Sequence, residues 1–142
     1  MIDGPLLLDT HVLVWVQEGL LNEQGVDLIG KAALREELFV STVSAWEIGL
    51  LHRRAIRGGH APAFAPDPKA WFARAVSAPG IQETPMTADI AVDSSLLPEP
   101  LHGDPGDRLL IATARHLGAT LVTRDRAILD YSALGHVRAV PC

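Results

Sequence analysis

Leu6-Leu7-Leu8-Asp9-Thr10-His11 is a short unbroken apolar run that stops on a carboxylate. A run this short with no polar alternation reads as a strand buried on both faces. Similar runs recur at Leu38–Ser41, Gly80–Thr84, Ala119–Thr123 and Val137–Val140. The intervals carry helical patterns over Val12–Glu18, Asp27–Glu37, Val43–Arg54, Pro68–Ser77, Ala88–Leu97, Pro105–Leu117 and Arg126–Tyr131. Buried strands alternating with amphipathic helices predict an α/β fold with a largely parallel sheet. At 142 residues the chain has the length of one domain, 1–142. The Gly-, Ala- and Pro-rich stretch Ala55–Pro66 predicts a mobile loop within that domain.

Four acids sit beside these apolar segments: Asp9, Glu47 in Ser44-Ala45-Trp46-Glu47-Ile48, Asp107 in Asp104-Pro105-Gly106-Asp107-Arg108, and Asp125 in Leu121-Val122-Thr123-Arg124-Asp125. Burying an unpaired carboxylate costs several kcal/mol, so acids placed this way need a partner. Some have an ordinary one. Asp9 and Asp125 read as helix N-caps, and Asp104-Pro105 as an N-cap followed by Pro at the first helical position. Glu47 resists that explanation, because Val43, Leu50 and Leu51 share its helical face. Asp107 resists it too, with Leu110 and Ile111 one turn on. In a parallel sheet ligands bind beyond the carboxyl ends of the strands. Asp9, Glu47 and Asp125 all follow strand ends, so a shared cation site is expected there. Oxygen donors favour Mg²⁺, with Mn²⁺ as a substitute.

Composition excludes several classes. Hydrophobic residues make up 48% of the chain and mean hydropathy is +0.19, which argues against disorder. No apolar run approaches the roughly 18 residues of a membrane span, and no basic leader precedes the first run. The only cysteine is Cys142, so neither an internal disulfide nor a thiolate metal site is expected. A cytoplasmic location follows as an expectation. The net charge of −5 would oppose a nucleic-acid partner, but two bound divalent cations would bring it to −1. Ten of the twelve basic residues are arginines, suited to phosphate. Arg53, Arg54 and Arg57 form one patch, and Arg108 and Arg124 adjoin motif acids, so all five are candidate RNA contacts. Thr10 and Thr123 are candidates to orient a carboxylate or water. His11 reads as a packed or capping residue, and Trp15, Trp46 and Trp71 as packing.

This pattern permits phosphodiester hydrolysis. One or two Mg²⁺ ions would activate water and neutralise phosphate charge. Asp9 and Asp107 are expected to hold the main ion, with Glu47 and Asp125 completing a second site or positioning the water; Asp104 is an accessory. Rival classes lack their marks. A phosphatase built on an aspartyl phosphate wants a second Asp where His11 stands. A phosphate-sensing receiver wants a lysine after a later strand, and the only lysines are Lys31 and Lys69. No phosphate-cradling glycine motif occurs.

The ordered set of four acids at these spacings resembles the PIN-domain ribonucleases, most closely the VapC-type toxins of bacterial toxin–antitoxin pairs. The resemblance runs nearly the whole length. It implies a five-stranded parallel sheet, a Mg²⁺- or Mn²⁺-dependent endoribonuclease acting on RNA, and a cognate antitoxin. An antitoxin arginine or lysine would enter the acidic site, with Leu20, Leu21, Leu28 and Ile29 supplying apolar contact. A homodimer is usual for the family. The alternative is a catalytically idle PIN-like module that binds RNA or protein. The chain departs from the pattern at Gly106, where a larger residue is common. That predicts a looser start to its helix.

Overall fold

Leu6, Leu7 and Leu8 have no exposed surface, and the sheet is assembled around them. The computed structural model describes residues 2–60 and 64–142. Strand β1 (Leu6–Leu8) is flanked by β2 (Leu38–Ser41) and β4 (Thr120–Val122), with β3 (Ile81–Thr84) and β5 (Arg138–Val140) at the edges. All pairings are parallel, and Leu6 aligns with both Leu38 and Thr120. The order β3-β2-β1-β4-β5 makes β1 central, which is why its run carries no polar residue until Asp9.

Helices cover both faces: α1 (Thr10–Glu18), α2 (Glu23–Leu34), α3 (Thr42–Arg57), α4 (Pro68–Val76), α5 (Ala88–Ser95), α6 (Pro105–Leu117) and α7 (Arg126–Ala133). Successive strand residues point to opposite faces. Leu6 and Leu8 accordingly join a core with Val12, Ile29, Ile48 and Phe72. Leu7 joins a second core with Ile90, Leu110, Ile111, Ile128 and Tyr131. No helix among the described residues is long and apolar enough to cross a membrane.

Side-chain caps move some predicted boundaries. Helix α2 starts at Glu23 rather than Asp27, because Asn22 Oδ1 accepts from Gly25 N at 2.8 Å. Helix α3 continues to Arg57, so the first residues of the expected loop over 55–66 are helical. Residues 61–63 of that loop lie outside the described residues. Phe64 is buried and meets Trp71 edge-on, ring centroids 4.9 Å apart, so this end of the stretch is anchored in the core. Trp71 packs there as expected.

Gly80 carries the turn into β3 at a φ of 85°, where a Cβ would lie 2.1 Å from the carbonyl oxygen of Ala33. Gly80→Ala should therefore lower the unfolding free energy by about 2–4 kcal/mol in urea titration. Gly30→Ala, in the exposed face of α2 with nothing within 4 Å, should instead add about 0.5–1 kcal/mol. Equal effects at the two sites would refute this account of the turn.

Candidate active site

Asp9 leaves β1 with extended backbone and caps α1. Its Oδ1 accepts from Thr10 N at 2.7 Å and its Oδ2 from the Thr123 hydroxyl at 2.6 Å. Thr123 Oγ1 in turn accepts from Asp125 N at 3.0 Å, so one buried threonine ties the ends of β1 and β4 together. Thr10 does the same towards α3. Its hydroxyl donates to Glu47 Oε1 at 2.6 Å and lies 2.9 Å from Ser44 Oγ. With the Thr10 hydrogen directed at Glu47, Ser44 is the donor of that second bond. Asp125 caps α7 through Ile128 N at 3.1 Å. Asp107 stands in the first turn of α6, where Asp104 Oδ1 accepts from Asp107 N at 3.1 Å.

These acids share one cleft of about 580 Å³, lined by Asp9, Glu47, Asp104, Asp107 and Asp125 together with Trp15, Trp46 and Arg54. Burial raises the carboxyl pKa of Asp9 and of Glu47, the hydroxyl bonds offsetting part of the rise. Asp107 is pushed up to about 7, first by burial and then by the charges of Asp104, Asp125, Asp9 and Glu47. Among the described residues, no arginine or lysine forms an ion pair with any of the four motif acids. The first turns of α1, α6 and α7 all reach the cleft, so their positive dipole ends offset part of the repulsion. A self-repelling set of carboxylates with no ion-paired arginine or lysine fits a hard divalent cation. Asp107, with no well-formed hydrogen bond of its own, is the least committed oxygen donor.

His102 was not singled out from the sequence. Its Nε2 lies 3.4 Å from Asp107 Oδ2, and His102, Asp107 and Asp125 each bring a ligand atom within 4.8 Å of the others. Yet Asp104 N donates to Nδ1 at 3.1 Å, so a neutral imidazole carries its proton on Nε2, facing Asp107. The contact is too poorly aligned to be a hydrogen bond. In this arrangement His102 is a proton-bearing neighbour of Asp107.

Several side chains lie elsewhere than expected. Arg54 and Arg124 line the cleft; Arg53 and Arg57 are exposed and are not among its lining residues. Arg108 has its Nε on Ser94 O at 2.9 Å and Nη1 on His102 O at 3.2 Å, so it braces the loop carrying His102 and Asp104. His11 is exposed on the cleft, with its ring centroid 6.0 Å from that of Trp15. Trp15 lies under Arg124, whose Cζ is 4.2 Å from the ring centroid, and Trp46 is 49% exposed, so neither is pure core. Ile29 is buried in the core, whereas Leu20 is 57% exposed. Helix α6 starts regularly despite Gly106. That glycine is buried against Glu47, whose Oε2 would lie 2.7 Å from an added Cβ.

The sequence pattern of the PIN domain family matches residues 6–134. Ribonuclease VapC22 of Mycobacterium tuberculosis is 29% identical over 128 residues, covering 89% of this chain and 91% of that protein. The crystal structure of VapBC2 from Rickettsia felis, bound to a DNA fragment from its promoter, superposes with a TM-score of 0.68 at 13% identity. That match covers 96% of this chain and 97% of the other. FitAcB from Neisseria gonorrhoeae gives 0.61 at 18% identity, covering 94% and 95%. At such identities the two structures show the fold.

Two outcomes follow from the geometry. Gly106→Ala meets the carboxylate of Glu47 and, at 3.3 Å, Asp104 Oδ1, so Glu47 must shift from the position Thr10 holds it in, and divalent-cation affinity should fall by roughly 10-fold or more. Unchanged affinity in calorimetric titration would show that Glu47 has room. The second concerns charge. Asp107 binds a proton in the folded state up to about pH 7 that the unfolded chain releases near its ordinary value of 3.8. Metal-free stability therefore declines as pH rises through that window, and the deficit is complete above it. Asp107→Asn should raise the metal-free melting temperature at pH 8 and change it little near pH 4. Asp9→Asn should gain less, since its amide nitrogen would replace the acceptor that Thr123 now uses. Equal gains at both pH values would refute the assignment.

Proposed function

The chain belongs to the PIN-domain family, and on that premise we propose that it is a metal-dependent endoribonuclease, the toxin of a toxin–antitoxin pair. The single observation that carries this reading is the convergence of Asp9, Glu47, Asp107 and Asp125 on one cleft with no arginine or lysine paired to them among the described residues. The similarity to Ribonuclease VapC22 supports RNA as the substrate. A bound Mg²⁺, or Mn²⁺ in its place, supplies phosphate charge neutralisation and a reactive water at neutral pH.

The chain's own residues set the stage for that chemistry. Asp9 and Asp107 are proposed to hold the principal cation, with Glu47 and Asp125 completing a second position or aligning water. Thr10 and Thr123 keep Glu47 and Asp9 from turning away, because each hydroxyl is spent on a carboxylate oxygen. Asp107, pushed up to about 7, would have to release its proton to hold a cation. Cation affinity should therefore climb with pH through about 7. Arg54 and Arg124, at the cleft, are the arginines suited to the RNA backbone. Arg53 and Arg57 would act only on RNA extending past α3.

The same charge deficit suits an antitoxin that inserts an arginine or lysine among the four acids. Leu20 is exposed between α1 and α2 for its apolar contacts, whereas Leu21 and Leu28 are half-buried against the core. A homodimer is the proposed assembly.

Wild-type protein freed of any partner should cleave cellular RNA in Mg²⁺ or Mn²⁺. EDTA should abolish that cleavage and added metal restore it. Asp9→Asn and Asp107→Asn should each reduce the rate by roughly 100-fold or more with the fold intact by circular dichroism. Full cleavage by either variant, or by the chelated protein, would overturn the reading. The toxin role is tested apart from the nuclease: co-expression with the neighbouring small gene product should yield a tight, inactive complex. A chain harmless on its own, with no such partner, would sink the toxin role even if RNA is cut.

A further inference from the structure

Trp46 precedes Glu47 on α3 and is 49% exposed at the edge of the cleft. An indole left half in water at a charged site has no packing explanation, since burying it would be strongly favourable. Leu50 and Arg54, at successive i+4 steps, also line the cleft, so one stripe of α3 presents an aromatic face, an aliphatic chain and a guanidinium. Across β1, Arg124 follows β4 and lies over Trp15, with its Nε held by Cys142 O at 2.9 Å. The acidic floor is thus bordered from both flanks of the central strand by planar, cation-bearing surfaces.

We infer that Trp46 is a base-stacking platform that makes the cleft selective for unpaired RNA, with Arg54 and Arg124 on the neighbouring phosphates. Trp46 and Glu47 line the same cleft, so a nucleotide whose phosphate meets the carboxylates can turn its base towards the indole. In an A-form duplex each base is already stacked on both faces and cannot lie on an indole. Stacking on the indole would add to the phosphate contacts of Arg54 and Arg124 a hold that does not depend on sequence. A partner protein's apolar side chain could also cover Trp46. Two guanidinia bordering the same cleft favour a polyanion.

This inference rests on the ribonuclease reading of the cleft, and binding separates the two. The probe is a fluorescein-labelled unpaired oligoribonucleotide of mixed sequence, alone or annealed to its complement, titrated in Ca²⁺ and followed by anisotropy. Trp46→Ala should weaken binding of the unpaired strand by roughly 5- to 150-fold, and Trp46→Phe should restore most of it. The duplex should bind weakly to all three proteins. Melting temperatures of the variants, close to wild type because the side chain is half-exposed, exclude misfolding. Equal binding of unpaired RNA by wild type and Trp46→Ala overturns the proposal, as does a duplex held as tightly as the unpaired strand. If Trp46→Ala keeps its RNA affinity and loses only the co-expressed antitoxin, the residue belongs to a protein interface and the proposal is likewise overturned. Selective, Trp46-dependent binding by a wild type that cleaves nothing would uphold the platform while the nuclease reading fails. Wild-type cleavage unaltered by Trp46→Ala would do the reverse.

Discussion

The carboxylate of Asp9 is 8% exposed at the end of a strand with no exposed surface, and everything around it answers that placement. A carboxylate so buried must have both oxygens hydrogen-bonded or become protonated. Thr10 N and the Thr123 hydroxyl supply the two bonds, and each donor commits a neighbouring element. The Thr10 bond requires α1 to start at once. The Thr123 bond requires β4 to end level with β1, which the in-register pairing of Leu8 with Val122 ensures. Thr123 then fixes Asp125 through its backbone N–H, and Thr10 fixes Glu47. The acids are therefore held by a connected set of short hydrogen bonds rooted in the central strand.

Asp107 stands outside that set, and its electrostatics differ for that reason. Asp9 and Glu47 have hydroxyl donors that lower what burial raises. Asp107 has burial and four like charges, and no hydroxyl donor to counter them. It is the acid most in need of a cation, and it sits on a helix from a different part of the sheet. The cleft is thus assembled from a rigid half on β1 and β4 and a half on α6 whose charge state changes near neutral pH. Arg108 and His102 stabilise the loop that delivers this second half, without neutralising Asp107.

The strands were legible because a short apolar run with no alternation has few other places to go. Glu47 and Asp107 were legible because apolar residues at i+3 and i+4 leave a charge no solvated face. What the sequence concealed was set by orientation in three dimensions. Arg108 adjoins Asp107 in sequence, but one residue of helix turns it by about 100°, towards Ser94 O. Trp46 defaults to packing on any helix, and only the cleft at its side makes it half-exposed. Gly106 appeared to be a weakness of α6, although the carboxylate of Glu47 occupies the space a side chain would need. The start of α2 was missed because Asn22, and not apolar periodicity, decides it.

Stability and activity meet in this cleft with opposite signs. The four acids repel one another in the metal-free protein, and among the described residues no arginine or lysine is ion-paired with them. Any cation that enters relieves the same deficit, whether it is a metal ion or the guanidinium of a partner chain. On the proposed reading, the partner that restrains the enzyme and the metal that activates it compete for one electrostatic vacancy, and each stabilises the fold on binding. Inhibition of this kind needs no conformational change in the sheet. It needs a cationic side chain that reaches Asp107 before a metal does, and Leu20, exposed between α1 and α2, offers such a partner apolar anchorage.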